Sequence, residues 1–323
     1  MNYIKKTCLF CGENENLTEL YPQTFREEEL TPEIFSARRQ TEHFHYQMVR
    51  CKNCSLVFSK KILSDEVLLQ LYSQSKVTFD EYTDIIRRDY IRPLAPFLSK
   101  NPGQSALEIG CSSGFFLEEL LERGFQNVYG CEPSAEAKAK ASPRVRENIF
   151  SGFFSGGLYE KNSFDLVCSF QTLDHLSDPL EIVEACHDVL KPGGLAYFIT
   201  HDVDGVQAKI LRDKSPIIDV EHVYLFNRKT LRKLFERTGF ETLEVADMKN
   251  SYPLDYWLKM FPFPRKWKSL ILDLSSRSGL GSLQWPFAAG NICLIGKCIK
   301  PGIEFIQQTA QEIFPVGRCG EHG

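Results

Sequence analysis

Two cysteine pairs and two acids carry the chemistry that is read first in this chain of 323 residues. Cys8 and Cys11 stand in TCLFCGE, and Cys51 and Cys54 in RCKNCSLVF. A C-x-x-C turn brings two thiolates toward one ion and leaves backbone N–H groups for the sulfurs. Two such turns supply the four soft ligands of a tetrahedral structural zinc site. The loop between them, residues 12–50, is longer than that of a compact zinc ribbon. It holds His43 and His45 as rival ligands, although four cysteines already complete the shell. A redox role would place each pair at a strand-to-helix junction of a βαβ unit, and neither pair sits so. A closed four-cysteine site does no chemistry on a substrate; it folds a stretch too short to build its own core.

The acids are Glu108 and Glu132. Glu108 ends an apolar run in ALEIGCSSGFFLEELLERGF, and Gly110, Ser112, Ser113 and Gly114 follow before a helical pattern begins. Small residues let backbone approach a ligand closely. A dinucleotide site would show G-x-G-x-x-G with the pyrophosphate on the helix N-terminus. A carboxylate in that place would repel a pyrophosphate. It suits a ligand with an ammonium group and no phosphate. Glu132 closes the next apolar run, where an acid can accept both hydroxyls of a ribose. An amino-acid portion plus a ribose, without phosphate, describes S-adenosylmethionine.

These residues need a scaffold, and the pattern supplies one. SALEIG, NVYGCE, RVRENIF, FDLVCSF, LAYFIT, ETLEVADM and GNICLIGKCIK read as strands. Between them FFLEELLERG, the stretch from Ser134 to Ala141, DPLEIVEACHDVL and RKTLRKLFERTGF read as helices. The alternation predicts an α/β fold, a Rossmann-like doubly wound sheet of seven strands, behind a small N-terminal zinc-binding module. Before the sheet, residues 64–99 have helical spacing, with Pro93 and Pro96 expected to kink or break the second helix near its end. The expected division is a zinc module at 1–60, pocket-covering helices at 61–104, the α/β domain at 105–300 with a cap insertion at 250–289, and a tail at 301–323. The insertion holds aromatic residues with Lys259, Arg265, Lys266 and Lys268. It reads as a cap or substrate lid, with weak peripheral membrane contact through 252–274 left open.

Composition narrows the partners. Net charge is −4, and residues 1–60 balance their charges, whereas a nucleic-acid finger is usually basic. The expectation is a small-molecule acceptor and no nucleic acid. No run approaches the roughly 20 apolar residues of a membrane helix, and Met1 to Gly12 contains no secretory h-region, so a cytoplasmic location is expected. That start also argues against an exported disulfide protein. The remaining cysteines, from Cys111 to Cys319, sit mostly in apolar runs as small core residues.

LEIGCSSG resembles the E-x-G-x-G-x-G of class I S-adenosylmethionine-dependent methyltransferases, with Ser112 where glycine is commonest. SFDLVCSFQTLDHLSDP, VLKPGGLAYF and EHVYLFNRKTLRKLFERTGF resemble further motifs of that family in the right order. The resemblance covers about 105–245 and the last strand. It implies cofactor contacts at Glu108, Gly110, Ser112, Gly114, Glu132 and Gln171. Family members often carry an acid after the third strand for the adenine amino group. Here NIFSGFFSGG has none, and Phe153 or Phe154 is expected to stack on adenine instead.

The cysteine module before such a domain resembles the sugar C-methyltransferases of deoxysugar pathways. That likeness matches Glu221 and His222 to the Glu-His pair after the fifth strand, and His175 to a second histidine after the fourth. His222 is then either a general base or a structural hydrogen-bonding residue. His175 positions the acceptor, and Tyr82 and Tyr90 wall the pocket. His187 and His201 are given no role. The expected activity is methyl transfer to a sugar, a nucleotide-sugar or another biosynthetic intermediate. An rRNA base methyltransferase and a non-catalytic cofactor-binding subunit are the alternatives.

Overall fold

The computed structural model describes residues 2–35, 44–74, 82–100, 103–260 and 265–300. His43, the tail at 301–323 and part of the 250–289 insertion lie outside these residues.

The first part of the chain is a small β structure. Its strands are β1 (Tyr3–Lys5), β2 (Leu17–Tyr21), β3 (Met48–Cys51), β4 (Val57–Ser59) and β5 (Lys61–Leu63). Two helices follow, α1 (Asp65–Ser73) and α2 (Thr83–Leu98). The latter runs on through Pro93 and Pro96, because burial of Tyr90, Ile91 and Leu94 holds it against the body.

The expected sheet comes next. Strand β6 (Ser105–Ile109) leads into α3 (Phe115–Glu122), and β7 (Asn127–Glu132) into α4 (Ala135–Ala139). The stretch expected as a third strand divides. Pro143 starts a short α5 (Pro143–Arg146), since its fixed φ suits a first helical turn, and only β8 (Ile149–Ser151) is extended. Then come β9 (Phe164–Phe170), α6 (Pro179–Val189) capped by Asp178, and β10 (Leu190–His201). After them lie α7 (Val206–Leu211), β11 (Tyr224–Leu225), α8 (Arg228–Arg237) and β12 (Phe240–Asn250). The cap helices α9 (Leu254–Met260) and α10 (Arg265–Arg277) precede β13 (Phe287–Cys298).

The large sheet has seven strands in the order β12-β13-β10-β9-β6-β7-β8. Strands β10, β9, β6, β7 and β8 are parallel neighbours. Only β13 runs against its neighbours, because it returns from the cap without a crossover helix. The central strands read as continuous apolar runs, as strands covered on both faces must. Helix α8 shows how the covering works: Leu231, Leu234 and Phe235 are buried, while its basic residues face outward.

A smaller sheet of order β11-β4-β3-β2 joins the two halves of the chain. Tyr224 pairs with Phe58 and Leu225 with Val57, and the Ser59 amide donates to the Val223 carbonyl. One apolar core runs from Cys8 and Phe10 through Phe58 to Leu107, Phe198 and Phe235. The first 60 residues therefore share their core with the large sheet.

Candidate functional site

At the carboxyl ends of β6, β7, β9 and β10 lies a cavity of about 1040 Å³. This is where an open α/β sheet holds its ligand. Glu108, Gly110, Ser112, Glu132, Phe153 and Gln171 all line it, as do His175, Glu221 and His222. Residues chosen from five separate stretches of sequence thus come together. Gly114 does not reach the cavity. It starts α3 at φ +71°, and a side chain there would press on Val145 at 2.9 Å. It is a packing and turn glycine.

Glu108 is buried, and its Oε2 accepts no hydrogen bond among the described residues. Burial, and then the nearby Glu132, hold its carboxyl well above the usual range. Glu132 is anchored differently. Its Oε2 accepts from the Ser112 amide at 2.9 Å and its Oε1 from the Ser134 amide at 2.8 Å. Burial raises its pKa, while the two amides pull the other way. Each oxygen keeps a second lone pair for a ligand. Ser112 and Gln171 hold φ of 50° and 51°, a left-handed strain for residues with a Cβ, and both face the cavity. The Gln171 Oε1 is buried with no protein partner among the described residues. Phe153 is partly exposed on the cavity wall, and Phe154 is buried against Tyr159.

The histidines are arranged around a residue the sequence reading missed. Asp174 is fully buried on the single turn Leu173–His175 after β9. Its Oδ2 accepts from Nδ1 of His201, at the end of β10. Nε2 of His222 lies 3.8 Å from the same oxygen, and Nε2 of His175 lies 4.0 Å from Oδ1. Burial works against charge on Asp174, but His201 first, then His222 and His175, hold its carboxyl below the usual range. Burial pushes the pKa of His222 down and that of His175 down to about 3. His222 donates from Nδ1 to the Ile217 carbonyl at 2.8 Å. The Glu221 carboxylate sits 3.9 Å from Nδ1 of His175. His175 Nδ1 also shares a 2.9 Å hydrogen bond with the Tyr72 hydroxyl.

His201, given no role from the sequence, lines the cavity, and so does Tyr72 on α1. The position of His201 at the carboxyl end of a central strand is the signal that could have found it. Of the two tyrosines expected in the wall, Tyr90 lines the cavity; Tyr82 instead packs on Tyr252 and Tyr256 of the cap. The cap contributes Tyr252, Tyr256 and Trp257 to the wall.

The cysteines gather elsewhere. Cys8 and Cys54 sulfurs are 3.2 Å apart and those of Cys11 and Cys51 3.6 Å, and none of the four is in a disulfide. All four sulfurs lie within 4.8 Å of one another. The two knuckles are copies in geometry. Gly12 and Ser55 both have φ +67°, and their amides return to the carbonyls of Cys8 and Cys51 at 2.8 and 2.9 Å. Burial opposes the Cys51 thiolate, but the amides of Cys54 and Asn53 donate to it and hold its pKa down. His45 is buried with its Nδ1 against the Tyr46 carbonyl, outside the cluster.

Residues 82–245 match the methyltransferase domain family, and the chain belongs to that family of S-adenosylmethionine-dependent enzymes. A tRNA U34 carboxymethyltransferase from Idiomarina loihiensis is 28% identical over 164 residues, covering 48% of this chain and half of that protein's length. A Helicobacter pylori protein of the same name is 25% identical over 216 residues, covering 62% of this chain and 81% of its own. Among solved structures, a chain from the complex of the Haloferax volcanii Trm112 methyltransferase activator with a methyltransferase is 17% identical. The match covers 68% of this chain and 95% of that one, with a TM-score of 0.47.

These relatives overturn two expectations. The small-molecule acceptor is set aside, since the curated relatives bear the names of tRNA enzymes. The exclusion of nucleic acid falls with it. It rested on net charge and on the balanced charges of residues 1–60, sums that average over a surface and say nothing of one face. Among the described residues, no helix is long and apolar enough to cross a membrane.

Proposed function

We propose that this chain is a tRNA-modifying methyltransferase that takes a single base into the cavity and methylates it from S-adenosylmethionine. The likeness to tRNA-modifying relatives across the methyltransferase domain carries this reading. The cavity supports it. Tyr72, Tyr90, Phe115, Tyr252, Tyr256 and Trp257 give its walls flat aromatic faces, on which an unstacked base can lie. Exposed Lys209, Arg212, Lys214 and Lys259 stand on or beside the rim elements α7 and α9, where phosphates would pass.

The relatives' name specifies a carboxymethyl group; we propose plain methyl here. No lysine or arginine lines the cavity among the described residues, while Glu108, Glu132, Asp219 and Glu221 do. A carboxylate on the transferred group would meet acids there.

The residues present fit the cofactor. The orphaned buried oxygen of Glu108 is placed to accept from its ammonium group, and the spare lone pairs of Glu132 to accept the ribose hydroxyls. Phe153 offers a face to adenine, and Gly110, Ser112 and Gln171 shape the turn around the amino-acid portion. Bound S-adenosylmethionine supplies an activated methyl on a sulfonium. The chain's task is then to align the acceptor and exclude water. We place the proton acceptor at His201 rather than His222. Its Nδ1–H is fixed on Asp174, which orients the opposite nitrogen for a proton. In the N-terminal part, we propose that Cys8, Cys11, Cys51 and Cys54 hold one structural zinc ion.

Incubation with S-adenosylmethionine labelled in the methyl group and with bulk tRNA tests the reading. Label is expected in tRNA, and nucleoside mass spectrometry is expected to show one added methyl. Cofactor binding without label in tRNA would sink the acceptor assignment, and an added carboxymethyl would sink the choice of group.

A further inference from the structure

The histidine cluster holds more acceptor atoms than proton transfer needs. A carbonyl only accepts, so the hydrogen bond to Ile217 puts a proton on Nδ1 of His222 and leaves Nε2 as the nitrogen that can bind a cation. That Nε2 lies 3.8 Å from Asp174 Oδ2. His175 uses Nδ1 on the Tyr72 hydroxyl and turns Nε2 toward Asp174 Oδ1 across 4.0 Å. That Oδ1 is buried and has no hydrogen-bond partner among the described residues. These separations are too long for hydrogen bonds. A cation placed among these nitrogens and the carboxylate oxygen would partner all of them.

We propose that Asp174, His175 and His222 form a second metal site, which takes a divalent transition-metal ion on the wall of the cavity. Their donor atoms lie within 4.8 Å of one another. Bonds of about 2.1 Å set donor spacings of roughly 3–3.6 Å, so an ion would draw these side chains in by about 1 Å. The supporting contacts are of the kind that fix metal-bound histidines: a backbone carbonyl on one ring and a hydroxyl on the other. His201 occupies Oδ2 of Asp174 and leaves Oδ1 for the ion. Two imidazoles and one carboxylate suit ions such as Zn²⁺, Fe²⁺ or Mn²⁺, with open positions for water or an acceptor oxygen. An ion there would orient that oxygen and ease its loss of a proton.

Titration of the metal-stripped full chain with Co²⁺, followed by absorbance and metal analysis, tests the site. Wild type is expected to bind two ions per chain. One should show the strong thiolate charge-transfer band of the cysteine cluster, the other only the weak visible bands of nitrogen and oxygen donors. His175→Gln, at a partly exposed position, and Asp174→Asn should each lose the second signal and keep the first, with an unchanged circular dichroism spectrum. A wild-type chain that takes up only thiolate-bound cobalt at excess metal overturns the site. So does a nitrogen–oxygen signal that survives both substitutions.

Discussion

The cysteine cluster and the histidine cluster gather similar numbers of donors by opposite means. Each half of the cysteine cluster is made locally, by four residues of a knuckle, and the two knuckles share one geometry down to the left-handed residue that closes them. The histidine cluster is built from the turn after β9, the end of β10 and the stretch before β11, and it is steadied by Tyr72 from α1. The first closes on itself; the second opens onto a cavity. A cluster whose two halves are preset by local turns can tie a segment together, whereas one that depends on the whole sheet can hold a substrate at a fixed place.

That contrast can be broken at four points. Cys51→Ser should have the largest effect, with loss of bound zinc and a fall of about 10 °C or more in Tm. Unchanged metal content and melting would show that the knuckles need no ion. His201→Asn should lower turnover on tRNA by roughly 10²–10⁴-fold while cofactor affinity, read by calorimetry, stays within twofold. Near-normal turnover would return the proton-accepting role to His222 or remove it from the histidines. Glu132→Ala should weaken cofactor binding about 10- to 100-fold, as the loss of charge-assisted hydrogen bonds to two hydroxyls implies. Affinity equal to wild type would detach Glu132 from the ribose.

Glu108→Gln should have the smallest effect on stability, and it carries a pH signature. Burial raises the folded carboxyl above its unfolded value, so the folded state keeps a proton that the unfolded chain has lost. The cofactor-free protein therefore loses stability as pH rises from the unfolded pKa through the folded one. The glutamine variant removes that dependence. Its Tm relative to wild type should climb with pH, while cofactor affinity falls several-fold. Parallel melting curves for the two proteins across pH 5–9 would contradict the burial of an uncompensated acid.

The sequence disclosed the parts whose neighbours are close in the chain. Both knuckles, the turn from Glu108 into α3, and Glu132 at the end of β7 are local patterns, and the structure places each as expected. The seven-stranded sheet was legible because its central strands are continuous apolar runs. The pairing of Asp174 with His201 was not legible, since it joins the ends of two neighbouring strands far apart in the chain, although the place of His201 at a strand's carboxyl end was a signal for that residue alone. Gly114 misled in the other direction. Its spacing resembles a ligand-binding glycine, but a close approach to Val145 explains it. Pro93 and Pro96 were read by a local rule that tertiary packing overrides.

The pairing of β4 with β11 also sets an order of events during synthesis. Residues 57–59 leave the ribosome early, but their partners Tyr224 and Leu225 follow only after the strands of β6 to β10 have been made. At about 5–20 residues per second that interval is roughly 8–33 s. Through it, the row of amides and carbonyls on β4 that later meets β11 stands open as an unpaired edge, close to the four cysteines. The small sheet is thus begun well before the large one and closed only after strands β6 to β10 of the large one are made. Metal capture by the four cysteines during that interval would hold β3 and β4 in register until the rest of the chain arrives.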